Sequence, residues 1–184
     1  MAEEGRRFSS DAPARSMIRT LTPDDTETYT ELRREALQLA PLAFAASPED
    51  DFASDPETVR ERLRQGPEWV LFGAFRGGLV GSLGLYRDRK LKSSHKAHLW
   101  GMYVAPSCRR LGFGRQLLQA ALGHAASLHG VTWVHLSVSA AAPEAQRLYE
   151  SAGFRPWGTE PEALRHEGQV AAELHMALRL GLPV

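Results

Sequence analysis

The segment Arg109-Arg110-Leu111-Gly112-Phe113-Gly114-Arg115 constrains this 184-residue chain more than any other stretch of it. Before it lies His98-Leu99-Trp100-Gly101-Met102-Tyr103-Val104, apolar and aromatic enough for a strand and stopped by Pro106. After it come Leu117, Leu118, Ala121, Leu122 and Ala125 at helical spacing. Glycines at 112 and 114 let the backbone curl tightly and keep side chains off an approaching anion. The first N–H groups of the following helix lack internal partners and, with the helix dipole, form an anion site suited to a pyrophosphate. Arg109, Arg110 and Arg115 add positive charge at its rim. The same spacing also suits a plain glycine turn with solvated arginines. No Gly-Lys-Ser/Thr follows, so the segment is not a P-loop. The third glycine and the later acidic residue of a dinucleotide fingerprint are missing too.

The surrounding chain alternates strand and helix patterns. Met17–Leu21 reads as a first strand, and Thr22-Pro23-Asp24-Asp25 starts a helix whose apolar face carries Tyr29, Leu32, Ala36 and Leu37. Residues 44–54 read as an irregular loop. Asp55-Pro56-Glu57 opens a second, highly charged helix. Trp69–Phe75 and Leu79–Tyr86 form a hairpin about Gly77-Gly78. Gly101 inside the next strand predicts a bulge or a close backbone approach. A helix closed by Gly130, a strand over Val131–Val138 and a short helix over Pro143–Ala152 follow. Phe154–Thr159 and Val170–Leu180, across a Glu167-Gly168 turn, complete a mixed α/β sheet.

Composition excludes several classes. Apolar residues make up 43%, the globular norm, and 22 Lys plus Arg balance 22 Asp plus Glu, which argues against nucleic-acid binding driven by overall charge. No apolar run approaches the roughly 20 residues that span a bilayer, so no membrane partner is expected. The single Cys108 excludes an internal disulfide. A reducing, cytoplasmic setting follows as the expectation. Met1–Ser16 is too polar for a signal peptide and reads as a disordered leader, leaving 17–184 as one domain.

Arg109-Arg110-Leu111-Gly112-Phe113-Gly114 resembles the Gln/Arg-x-x-Gly-x-Gly/Ala signature of the GNAT N-acetyltransferase superfamily. Met102-Tyr103-Val104-Ala105-Pro106 looks like the strand end that leads into it. Leu136-Ser137-Val138, Ala145, Leu148-Tyr149-Glu150 and Gly153-Phe154 match the family's later block. The resemblance covers Met17 to Leu180. It implies an α+β fold, with a mixed, mostly antiparallel sheet of about seven strands flanked by about four helices. It also implies acetyl-CoA as donor and a small-molecule amine or peptide as acceptor. Backbone groups of Met102, Tyr103 and Val104 would pair with the pantetheine arm. Arg109, Arg110, Leu111, Gly112, Phe113, Gly114 and Arg115 would wrap the pyrophosphate, in a sheet splayed between strands ending near Val104 and Val138. A homodimer, as in many relatives, is compatible with the last strands.

Acetyl transfer to an amine needs a neutral nucleophile and a proton for the departing thiolate. Tyr149 stands where the family places its general acid; packing its ring in the core is the bland alternative. At the position of Ser137 one branch of the family carries a Glu, and a serine cannot act as a base without its own activator. Another branch places a Glu near the start of the strand before the signature, where this chain has His98; imidazoles ionise near neutrality and suit proton transfer. A water chain would serve instead. Ala142 replaces a frequent Asn beside the coenzyme arm, a loss of roughly 0.5–1.5 kcal/mol for one net hydrogen bond. His95 and His98 lack a third convergent ligand, so no metal is expected. Trp69, Trp133 and Trp157 read as core or sheet-face residues, and Trp100 as closer to the acceptor. Asp50, Asp51, Asp55 and Glu57 offer negative charge to a cationic amine or to solvent. A coenzyme-binding regulatory module without catalysis is the competing reading, favoured by Ser137 and Ala142 and opposed by Tyr149.

Overall fold

The computed structural model describes residues 17–181, so the expected leader over 1–16 lies outside the described residues. One seven-stranded sheet organises them. Its strands are β1 (Met17–Thr20), β2 (Trp69–Phe75), β3 (Leu79–Arg87), β4 (Lys96–Val104), β5 (Trp133–Ser139), β6 (Arg155–His166) and β7 (Gln169–Arg179). They run in the order β1-β2-β3-β4-β5-β7-β6. Every pairing is antiparallel except β4 with β5. The expected mixed, mostly antiparallel sheet with four α-helices is therefore present. The helices are α1 (Thr26–Leu39), α2 (Pro56–Leu63), α3 (Phe113–Ser127) and α4 (Pro143–Ser151).

Alternation along β2 sorts the helices onto two faces. Phe72 and Ala74 join the larger core with Leu117, Leu118, Ala121 and Ala125 of α3. Their neighbour Leu71 points the other way, to Tyr29 of α1 and Val59 of α2. Successive strand side chains must face opposite sides, so α1 and α2 cover one face and α3 the other. Tyr149 and Phe154 extend the α3 core beneath β5 and β7.

Three boundaries differ from the sequence expectation. Helix α3 ends at Ser127, and Gly130 takes φ 80° three residues later, in the turn that enters β5. Residues 52–54 form a short 3-10 turn capped by Asp51, whose side chain accepts from the Ala53 N–H. Strand β6 runs on to His166 because its irregularities, between Pro156 and Gly158 and between Glu160 and Leu164, absorb extra residues without ending the pairing.

Candidate active site

The sheet forks between β4 and β5. Their parallel pairing covers Lys96–Trp133, Ala97–Val134 and His98–His135, and then stops. Beyond it, Leu99–Val104 and Leu136–Ser139 diverge, so backbone groups on the inner edges of Met102, Tyr103 and Val104 find no β5 partner. Apart from the Val104 carbonyl, which accepts from Arg109 Nε at 3.0 Å, such groups need a hydrogen-bonding ligand or water. A bulge helps to open the fork. Ser82 pairs with Tyr103 and Gly84 with Trp100, which leaves Gly101 and Met102 opposite Leu83 alone, with Gly101 at φ 65°.

At the open end, the glycine segment forms the curl that the sequence suggests. Arg110 takes φ 62° and Gly112 takes φ 85°, ψ 0° as the residue before α3. Gln116 N–H is bonded to the Gly112 carbonyl at 3.1 Å, so the N–H groups of Phe113, Gly114 and Arg115 precede the first helical bond and are free for an anion. Arg109, Arg110 and Arg115 are exposed around them. Leu111 is also exposed, whereas Phe113 anchors the helix start in the core. The two glycines work differently. A Cβ on Gly112 would make only an ordinary contact, 3.6 Å from Gln116 Nε2, so that position needs its backbone conformation. A Cβ on Gly114 would lie 3.3 Å from Leu148 Cδ2, so that glycine lets α3 approach α4. These residues fit a pyrophosphate-bearing donor lying along the fork. Arg109 Nε donates to the Val104 carbonyl at 3.0 Å, tying the loop to the strand end.

Tyr103 turns its side chain away from the fork. Its hydroxyl donates to Glu35 Oε1 on α1 at 2.8 Å, and burial, reinforced by Glu35, pushes its pKa up to about 12. Ala142 is the residue before α4 and provides no side-chain cap. Ser139 covers part of that role: its Oγ accepts from Ala141 N–H, and its carbonyl accepts from Gln146 Nε2. Tyr149 is buried on α4, edge-on to Phe154 at 5.8 Å between ring centres. Burial raises its pKa well above the ordinary tyrosine range.

On the other face of the fork, under α1, lies an open cavity of about 490 Å³. His98, Trp100, His135, Ser137, Glu173 and His175 project into it from the sheet; Arg33, Phe44 and Trp157 close its sides. His98 sits where the fork begins. Its ring stacks on Tyr86 at 4.7 Å, and its Nε2 lies 3.3 Å from Asp88 Oδ1 without hydrogen-bond alignment. His135 is held below its ordinary pKa by partial burial and by the charges of His98 and Lys96. Glu173 is raised, first by partial burial. Ser137 Oγ lies 2.8 Å from His175 Nδ1, its register partner on β7.

The structure decides between several of these readings. Of the two readings for Trp157, core or sheet face, the structure takes the second: it is 64% exposed on β6 and stacks on His175 at the cavity wall. The acidic residues near α2 are engaged. Asp51 is buried in a 2.7 Å ion pair with Arg33, Asp55 caps α2, Asp50 accepts from Ser47 N–H, and Glu57 pairs with Arg60. Among the described residues no group of three His, Cys, Asp or Glu side chains is placed to hold a metal, and no helix is long and apolar enough to cross a membrane. His175, Arg33 and Phe44 escaped the sequence reading. Only the register of β5 with β7 brings residues 137 and 175 together, and one sequence does not reveal strand register.

Comparison with known proteins agrees with this geometry. The family model described as "Acetyltransferase (GNAT) family" matches residues 27–154. No curated protein matches the chain. Among solved structures, a GCN5-related N-acetyltransferase from Kribbella flavida is 28% identical, with TM-score 0.76, covering 90% of this chain and 98% of its own. A GNAT-family acetyltransferase from Streptococcus pneumoniae is 19% identical, with TM-score 0.78, covering 91% and 100%. An acetyltransferase from Salmonella typhimurium, solved with its cofactor acetyl-CoA, is 21% identical, with TM-score 0.77, covering 90% and 94%.

Proposed function

Because the chain belongs to the GNAT acetyltransferase family, we propose that it moves the acetyl group of acetyl-CoA directly onto a primary amine of a small molecule or peptide. The observation that carries this reading is the fork: an unpaired strand edge runs from the anion curl before α3 to a polar, aromatic cavity on the opposite face. A donor threaded through such a gap presents its thioester to an acceptor approaching from under α1.

In this reading Met102, Tyr103 and Val104 offer backbone groups to the pantetheine amides. Residues 109–115 hold the pyrophosphate through free N–H groups and arginine charge. Ala142 borders the arm without bonding it. Tyr149 donates its proton to the departing thiolate, from the position on α4 where the family places its general acid. His98, at the base of the fork and open to the cavity, is the first candidate to take a proton from the ammonium. The lone buried Cys108 suits a reducing, cytoplasmic setting.

The test follows free coenzyme A thiol after mixing the protein with acetyl-CoA and a panel of n-propylamine, L-alaninamide, spermidine and a tetrapeptide with a free N-terminus. Thiol release that depends on one of these amines supports the reading. Acetyl-CoA binding without thiol release from any amine instead identifies a coenzyme-binding module.

A further inference from the structure

We propose that Ser137, His175 and Glu160 form a proton relay that takes the first proton from the acceptor's ammonium group. The inference rests on the acetyltransferase reading above and assigns the proton-accepting role to this relay in place of His98.

Strand β5 carries Ser137 two residues beyond His135, the last residue paired to β4, and on the same face. Ser137 is therefore the first β5 side chain past the opening of the fork that faces the acceptor cavity, and it is exposed there. An isolated serine hydroxyl is no base. This one is 2.8 Å from His175 Nδ1, and His175 Nε2 lies 3.4 Å from Glu160 Oε2 on β6. A carboxylate facing Nε2 favours the tautomer with its proton on that nitrogen, which leaves the Nδ1 lone pair free to accept from Ser137. Trp157 stacks on the imidazole, with ring centres 5.3 Å apart and 27° between planes, and fixes its orientation. Serine, imidazole and carboxylate thus stand in the order that activates a hydroxyl, with the last member orienting the second.

The proton balance closes. Ser137 Oγ takes one proton from R–NH3+ as its own passes to His175 Nδ1, leaving an imidazolium opposite Glu160 and a neutral amine. The amine nitrogen attacks the thioester carbonyl, the C–N bond forms and the C–S bond breaks. Tyr149 gives its proton to the thiolate sulfur, the nitrogen's second proton passes through solvent to restore the Tyr149 hydroxyl, and the third stays in the amide. His175 then releases its proton to solvent. The charged groups around the relay are Glu160 from β6, Glu173 from β7, His135 from β5, His98 from β4 and Arg33 from α1. The two carboxylates stabilise the imidazolium, whereas protonation of His98 or His135 opposes it.

A structural hydrogen bond between two cavity-wall side chains would affect stability by only about 1 kcal/mol and leave the pH profile alone. The test therefore measures kcat/KM against pH for the wild type, Ser137→Ala, Ser137→Thr, His175→Gln and Glu160→Gln. It uses acetyl-CoA and whichever panel amine reacts fastest, with thermal stability and acetyl-CoA Kd recorded in parallel. We expect His175→Gln and Ser137→Ala to lose roughly 10²-fold at neutral pH, within the usual range for general-base removal. The acidic limb of the profile disappears with them. The deficit narrows as pH nears the amine's own ionisation, about 10. Ser137→Thr keeps the limb, and Glu160→Gln, a positioning change, loses less than His175→Gln. An unchanged limb in His175→Gln, or a limb that vanishes in His98→Gln instead, overturns the relay while sparing the acetyltransferase reading. Acetyl-Ser137 trapped and identified by mass spectrometry also overturns it, because the hydroxyl is then a nucleophile. A wild type that releases no thiol with any amine overturns both.

Discussion

Gly84 on β3 and Trp100 on β4 are cross-strand partners, and the indole occupies the space in which any side chain at 84 would stand. Trp100 also packs against Trp69 and Phe52 at 5.6 and 5.7 Å and forms part of the cavity under α1. The absence of a Cβ at 84 thus sets the shape of a cavity wall. We expect Gly84→Ala to push the indole off its strand and cost about 1–3 kcal/mol, the usual range for overpacking. KM for the amine should rise while the acetyl-CoA Kd stays within about twofold, because the anion curl is at the far end of the fork. Urea unfolding and steady-state kinetics check both halves.

Gly112 and Gly114 should respond differently to alanine. At Gly112 the cost is conformational, since φ 85° is disfavoured for an L-residue by about 1–2 kcal/mol. At Gly114 the cost is spatial, through Leu148. Each alanine should lower Tm by a few degrees, near 2–4 °C per kcal/mol for a domain of this size, and weaken acetyl-CoA binding. Adding Leu148→Ala should recover acetyl-CoA affinity in Gly114→Ala and do nothing for Gly112→Ala. Calorimetric titration of the four proteins separates the two causes.

This division also shows what a single sequence reveals. Elements with strong local signals were legible: the Gly77-Gly78 hairpin, the Pro56 start of α2, the Gly101 bulge and the curl before α3 all follow from backbone chemistry within a few residues. The family resemblance then supplied the mixed, mostly antiparallel sheet and the fork. The cavity was less legible because its pairs are distant in the chain. Arg33 meets Asp51 across a loop, and Ser137 meets His175 only through β5–β7 register. Trp157 read as either a core or a sheet-face residue, and its place on β6, a strand at the sheet edge, decides for the exposed face.

The Arg33–Asp51 pair shapes the cavity from α1. The two side chains are 7% and 4% exposed, and Arg33 stacks over Phe44 with Cζ 4.8 Å from the ring centre. Removing one partner strands a buried charge, so Asp51→Ala should cost about 3–5 kcal/mol. Arg33→Met combined with Asp51→Leu should cost much less, because no charge is left behind. A double-mutant cycle by urea unfolding gives both values. A small effect in Asp51→Ala alone would mean that solvent reaches the guanidinium.

Tyr149→Phe isolates a hydroxyl from its ring. The ring packs against Phe154 and should keep its place, so stability should change by no more than about 1 kcal/mol. If the hydroxyl protonates the thiolate, kcat should fall roughly 10²-fold or more with little change in acetyl-CoA Kd. Undiminished kcat would reduce Tyr149 to a packing residue. Single-turnover thiol release is the appropriate measurement, since slow product release would mask the chemical step.

Asp25 links the acid stability of the fold to the strand that begins it. Its carboxylate receives both terminal nitrogens of Arg19 at 2.7 Å and the Thr22 N–H at 2.8 Å. The Arg19 hydrogen bonds, aided by Thr22, hold its pKa below the ordinary 3.8, although partial burial works against them. A carboxylate with a lowered folded pKa binds fewer protons folded than unfolded, so it adds stability above the unfolded value. That contribution is lost as pH falls through the folded pKa. Asp25→Asn should therefore be destabilising at pH 7, by about 1 kcal/mol once the partial exposure of Arg19 is discounted. The gap between variant and wild type should close as pH drops below the ordinary carboxylate range, because the wild type then carries a neutral side chain as well. Thermal unfolding of both proteins from neutral pH into acid checks the direction; a gap that widened in acid would mean that Asp25 gains a proton, rather than losing one, on folding.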